Sequence, residues 1–267
     1  MASTTTPGPP AETTADATAT ARGTTARGST PPPPPGPAPI RRINPSGLPG
    51  LRFYRTAVGK KWVMAVTGVI LMSFVLVHLI GNVKLFLSKE EINLYGEALR
   101  DMPGHLLPRT WLLWFFRLGL IAAFALHIHA AVGLTLVNRR ARPGADRYHS
   151  RRDYVAADYA SRTMRWSGVI VALFIVFHLM DLTWGNANSE FLRGDPYNNL
   201  VYSMQRVPVA IVYILANLAL GLHLYHGAWS MFQSMGINNP RINSLRRWFA
   251  QGFAAVIVIG NLSFPIA

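Results

Sequence analysis

Four histidines, His78, His127, His178 and His223, each fall inside a different long apolar run of this chain. An imidazole surrounded by hydrocarbon is costly unless something binds it, so such residues mark sites. The chemistry that four isolated rings can do is metal ligation, because neutral imidazole is a common metal ligand. Haem iron accepts two axial imidazoles from opposite sides. Four helices with one histidine each therefore predict two haems. The plainer alternative for any one ring is a hydrogen bond across helices. A proton relay would want carboxylates beside the rings, and only Asp181 lies near one of them.

The elements that must position these rings are membrane spans. Half of the residues are hydrophobic and only 14% are charged, well below the roughly 25% of a soluble domain. Five stretches reach the ~20 apolar residues that cross a bilayer core: Trp62–Phe86, Trp111–Val137, Trp166–Trp184, Val207–Met235 and Trp248–Ile266. Their patterning lacks the period-2 alternation of a membrane barrel. The expected fold is all-α, with five transmembrane helices of which the first four form a haem-binding bundle. No cysteine is present, which excludes iron–sulfur clusters held by cysteine and covalently attached c-type haem within the chain. Any haem is then b-type.

The net charge of +14 points to a membrane and not to nucleic acid, because the basic residues flank apolar runs. They gather before Trp62 (Arg41, Arg42, Arg52, Arg55, Lys60, Lys61), between the second and third spans (Arg139 to Arg165) and after the fourth (Arg241, Arg246, Arg247). The two remaining loops are balanced by acids. The positive-inside rule then predicts an internal N-terminus and an external C-terminus. Residues 1–45 are rich in Thr, Ala and Pro, with the run Pro31–Pro35. They are expected to be a disordered tail, not a secretory signal, since no apolar h-region is present. The membrane domain is expected over 46–267. Residues 89–101 are spaced as a short amphipathic helix at the interface, and 185–206, with Gly185, Gly194 and Pro196, read as irregular loop.

His78 and His178 each lie six residues before an outer boundary, Lys84 and Trp184, hence roughly 9 Å inside the outer face. Their helices run the same way, so the two rings can meet at one depth. His127 and His223 lie nineteen and fifteen residues after Pro108 and Pro208, about 22–28 Å from the outer helix ends. The expected pairs are His78 with His178 and His127 with His223. His129 and His226 rival their neighbours, and periodicity does not choose between them. His105 and His149 fall in loops.

With the histidines placed, the segments SFVLVHLIGN, ALHIHAAVGLTLVNRRARP, FHLMDLTWG and LHLYHGAWSMFQSMG resemble the cytochrome b membrane-anchor subunit of succinate dehydrogenase and fumarate reductase in its five-helix, di-haem form. The resemblance covers about residues 55–265. It prefers His127 over His129 and His223 over His226. It assigns the outer haem to His78 and His178, the inner haem to His127 and His223, and the fifth helix to a place outside the bundle. It implies two b haems, a flavoprotein and an iron–sulfur subunit as partners, and a quinone, menaquinone, as electron acceptor. None of the succinate chemistry would reside in this chain. The implied setting is a bacterial inner (plasma) membrane. Haem propionates need cations or donors, for which Arg117 is a candidate at the outer haem and Arg165 and Gln233 at the inner. Tyr95, Glu97, Asp181 and Trp184 are candidates for a quinone pocket at the outer end. The basic segment 139–165 is the expected docking surface for the iron–sulfur subunit. A di-haem anchor of a formate dehydrogenase or hydrogenase, and a haem-free anchor or transporter, remain as rival readings.

Overall fold

Thr56 starts the first long helix, its hydroxyl accepting the Gly59 backbone N–H at 2.9 Å, which satisfies one of the orphan donors of a helix start. The computed structural model describes residues 49–102, 104–140, 159–237 and 239–267, without the side chains of His105 and of residues 159–163. The tail 1–45, residues 141–158 of the basic segment, and His149 lie outside the described residues.

The elements are α1 (Pro49–Arg55), α2 (Ala57–Asn82), α3 (Lys89–Asp101), α4 (Trp111–Arg140), α5 (Tyr159–Leu179), α6 (Pro196–Gln205), α7 (Val207–Ser234) and α8 (Asn243–Ile266). The described residues are helical, and five stretches are long and apolar enough to cross a membrane: Ala57–Phe86, Trp111–Arg140, Met164–Trp184, Val207–Ser234 and Pro240–Ile266. Four of the five outrun the expected spans at their basic ends, taking in Lys60 and Lys61, Arg139 and Arg140, Arg165, and Arg246 and Arg247. Long cationic side chains keep their stems on apolar surface while the charge reaches out, so the helix need not stop where the lysines and arginines begin.

Side chains sort as a membrane solvent demands. Phe115, Leu118, Ile121, Leu215 and Ile259 are exposed, while Ala210, Ala216, Ala219, Gly221 and Ala228 of α7 are buried. Small residues let helix backbones approach where lipid offers no hydrophobic drive. At Gly221 an added Cβ would come 2.3 Å from Val258 of α8, and at Gly260 of α8 it would come 2.7 Å from Leu79 of α2. A core of Met72, Leu79, Leu224, Ala228, Ala250, Ala254 and Ile257 joins α2, α7 and α8. Close packing runs α4–α2–α7–α5, with α8 against α7 and α2. Among the described residues, neither α2 with α5 nor α4 with α7 is a closely packed pair.

At one end, α3 and α6 lie as short caps. Ser88 caps α3 by accepting from Glu91 N at 3.1 Å. Asp195 caps α6 with Pro196 in its first turn. The 185–206 segment is therefore not irregular throughout, as its glycines suggest. Asp–Pro supplies both a capping carboxylate and a residue pre-set for the first helical position, and that signal outweighs the loop composition. The caps are tied together by Asn93, whose amide donates to Asp195 at 3.1 Å and whose oxygen accepts from Tyr197 N at 3.1 Å.

Candidate functional site

The four histidines meet in two tiers. At the tier nearer the caps, His78 of α2 faces His178 of α5 with ring centroids 5.9 Å apart. At the other, His127 of α4 faces His223 of α7 at 6.4 Å. Each facing pair comes from two helices that do not pack closely on each other, so each pair looks across a gap and not along a tight seam.

The tiers follow from one helical interval used twice. Residues 67–79 read TGVILMSFVLVHL and residues 167–179 read SGVIVALFIVFHL, sharing Gly, Val, Ile, Phe, His and Leu at matching places. In each copy the histidine serves the capped tier, and the hydroxyl residue and glycine serve the other. Thr67 Oγ1 lies 3.2 Å from His127 Nδ1, and Ser167 Oγ lies 3.4 Å from His223 Nδ1. A Cβ on Gly68 would come 3.5 Å from His127 Cε1, and one on Gly168 would come 3.3 Å from His223 Cε1. The step of ten positions from Gly68 to His78 puts the tiers about 15 Å apart along the axis. Phe74 and Phe174 repeat the pattern, each ring lying against the histidine four residues on, at 5.3 and 5.8 Å. Sequence reading noted the two histidine contexts but missed the thirteen-residue repeat, which was the available signal for Thr67, Gly68, Ser167 and Gly168.

Beyond His178 the helix widens into a π turn over Met180–Trp184, ended by Gly185 at φ 81°. Such widened turns recur at functional sites. Asp181 is wholly buried there. It forms an ion pair with Arg206 and accepts the Tyr213 hydroxyl at 2.9 Å. Tyr213 Oη in turn lies 3.3 Å from His178 Nδ1. Arg206 also donates to the Ala187 carbonyl at 2.6 Å and to Ser203 Oγ at 3.1 Å. A buried carboxylate in a membrane protein needs such a cation. Arg206 and Tyr213 were both missed, because each stands more than two dozen residues from Asp181 in sequence.

The structure separates the rival histidines. His129 is exposed and stacks on Tyr54 of α1, with centroids 5.6 Å apart, and is hydrogen-bonded to the Tyr54 hydroxyl. It is not part of the facing pair. His226 lies half-buried, one turn from His223. The remaining candidates are dispersed. Arg117 is exposed on α4 with its guanidinium 5.1 Å over the Trp114 ring, an arrangement that also suits snorkelling. Arg165 and Gln233 are exposed. Glu97 divides its carboxylate between Arg100, at 2.6 Å, and Arg109. Tyr95 packs on Gly81, where a Cβ would meet its ring at 2.5 Å. Trp184 is exposed at the end of the π turn. Asp181 alone among the quinone candidates is joined to a histidine tier.

Residues 135–260 match the family model of the succinate dehydrogenase/fumarate reductase transmembrane subunit. Over this stretch, a little under half of its length, the chain is similar to that family. Five helices long and apolar enough to cross a membrane make the chain a multi-pass membrane protein, and the match takes in α5 to α7 and most of α8. It includes His178 and His223 and begins beyond His78 and His127, so their facing partners come from the portion ahead of the match. No curated protein and no solved structure matches the chain.

Proposed function

We propose that the chain is the membrane-anchor cytochrome b of a succinate dehydrogenase, holding two b haems and passing electrons from an iron–sulfur subunit to a quinone. The observation that carries this reading is the double pairing of histidines, 5.9 and 6.4 Å between ring centroids. Imidazole-to-metal bonds of about 2 Å from two rings to one ion put the ring centres roughly 6 Å apart. The donor set therefore fits bis-imidazole iron in both tiers. His78 and His178 would hold the outer haem, and His127 and His223 the inner one.

Haem with both axial positions filled supplies one-electron transfer and leaves no open position for oxygen. The protein's residues do the rest. They fix the rings, exclude water and spread two stations across about half of a ~30 Å hydrocarbon core. Arg117, Arg165 and Gln233 are the proposed propionate donors. The basic helix ends at Lys60, Lys61, Arg139, Arg140, Arg246 and Arg247 support an internal N-terminus by the positive-inside rule, and the basic segment 139–165 is the proposed dock for the iron–sulfur subunit beside the flavoprotein. The capped end would then face outward, and Asp181, linked through Tyr213 to His178, is the best placed of the quinone candidates, with Trp184 three residues on in the same π turn and Tyr95 and Glu97 on the α3 cap. Menaquinone is the acceptor that the family resemblance favours.

The test is the reduced-minus-oxidised optical spectrum of the purified complex with its haem count. Two b haems per copy of this chain are expected. A colourless complex overturns the reading.

A further inference from the structure

We propose that Thr67 and Ser167 are positioning residues that hold His127 and His223 in the tautomer with a free Nε2 lone pair. The inference rests on the haem reading above and concerns only the tier formed by α4 and α7. Both hydroxyls are buried, at 5% and 3% exposure. Each has one hydrogen to give, and each has a carbonyl to take it. Thr67 Oγ1 donates to Val63 O at 2.7 Å, with Met64 O at 3.3 Å. Ser167 Oγ donates to Met164 O at 3.0 Å. A hydroxyl keeps lone pairs after donating. What remains for the facing imidazole is therefore acceptance, and the Met64 and Met164 carbonyls, which also hydrogen-bond these rings, can only accept, so Nδ1 of His127 and of His223 carries the hydrogen.

A neutral imidazole with hydrogen on Nδ1 has its lone pair on Nε2. That nitrogen is the one that can bind iron. Hydrogen bonds to the far nitrogen of a ligating histidine fix the ring's orientation and raise its basicity. The glycine after each hydroxyl residue lets the ring lie against the helix backbone, with Cε1 within van der Waals reach of where a Cβ would stand. The same device appears at the other tier in different residues. Tyr213 gives its hydrogen to Asp181 and leaves its oxygen to His178 Nδ1. Three of the four rings thus meet a hydroxyl already committed as a donor elsewhere. That it occurs twice at matching positions of the repeat, on two helices, argues against a chance contact.

The experiment uses the intact complex with Thr67→Val and Ser167→Ala, singly and together, and with Thr67→Ser and Ser167→Thr as conservative variants. Each haem's midpoint potential is read by redox titration of its optical band, beside the haem count. Losing the hydroxyl acceptor at Nδ1, with only the Met64 or Met164 carbonyl left beside the ring, makes the imidazole a weaker electron donor to ferric iron. The inner haem's potential should rise, its retention should fall by a factor of roughly 10 to 100 in affinity, and the outer haem should stay unchanged in the same sample. The conservative variants should restore both readings. The proposal is overturned if the double variant keeps two haems at wild-type potentials, or if both haems shift together and the conservative variants fail to restore them. A wild-type complex with no haem at all overturns the functional reading and this one with it, whereas the first outcome removes this one alone.

Discussion

Tyr213 Oη stands 2.9 Å from Asp181 and 3.3 Å from His178, linking a wholly buried carboxylate to a ring of the capped histidine tier. The carboxylate's charge is met by Arg206, whose side chain is about one-third exposed. The two partners of this ion pair are therefore unequally dependent on it.

Arg206→Leu should destabilise the subunit by about 3–5 kcal/mol, because Asp181 is left charged and buried. Asp181→Asn should cost less, about 1–3 kcal/mol, because Arg206 keeps Ala187, Ser203 and water. Thermal unfolding of the detergent-solubilised complex checks the order. Equal losses would mean that the pair is more open to water than its burial indicates.

Replacing His127 or His223 with Ala should remove the inner haem and leave the outer, and replacing His78 or His178 should do the reverse. His129→Ala and His226→Ala should leave two haems. Haem per complex, by extraction and optical assay, is the measurement. Loss of a haem from His129→Ala would reassign the α4 ligand.

Glu97→Gln should leave quinone turnover close to wild type, since two arginines already hold that carboxylate. Asp181→Asn should slow turnover in samples that still carry two haems. Steady-state quinone reduction by the whole complex separates them. If only Glu97→Gln slows the reaction, the quinone pocket lies at the α3 cap and not beside His178.

Asp195 joins α3 to α6. Burial pushes its carboxyl up, but the Asn198 backbone N–H, the Asn93 and Asn198 amides and Lys89 outweigh that and hold it below the ordinary carboxylate value. A carboxyl depressed in the folded state stabilises fully above its unfolded value of about 3.9, and that stabilisation is lost as pH falls through the lower folded value. Protection factors of the α6 amides, normalised to the intrinsic exchange rate at each pH, should therefore be unchanged from neutral pH down to about 4 and fall below it. Asp195→Asn should abolish that acid step.

Much of this architecture was legible in the sequence because the bilayer imposes a simple rule of length and polarity. The five spans follow from it, the helix over 89–101 was readable from its amphipathic spacing, and the facing of His78 with His178 and of His127 with His223 from depth and helix direction. Helix starts were less legible, since Lys60 and Lys61 look like a boundary yet lie within α2. The α6 helix was hidden by its glycine and asparagine neighbours. Arg206 and Tyr213 were invisible for a different reason. Both act on Asp181 through the π turn after His178, and the inward rotation of a single carboxylate leaves no periodic trace in the residues around it.

Thr67 and His78 stand eleven residues apart on α2, as do Ser167 and His178 on α5. Eleven residues complete about three turns of 3.6, so one face of a single rod addresses both stations. Adding or deleting one residue within either interval would swing one station about 100° away from the other, whereas substitutions on the opposite, lipid-facing side leave the phase untouched. Insertion or deletion within these two rods is therefore a graver change than substitution on their lipid-facing sides.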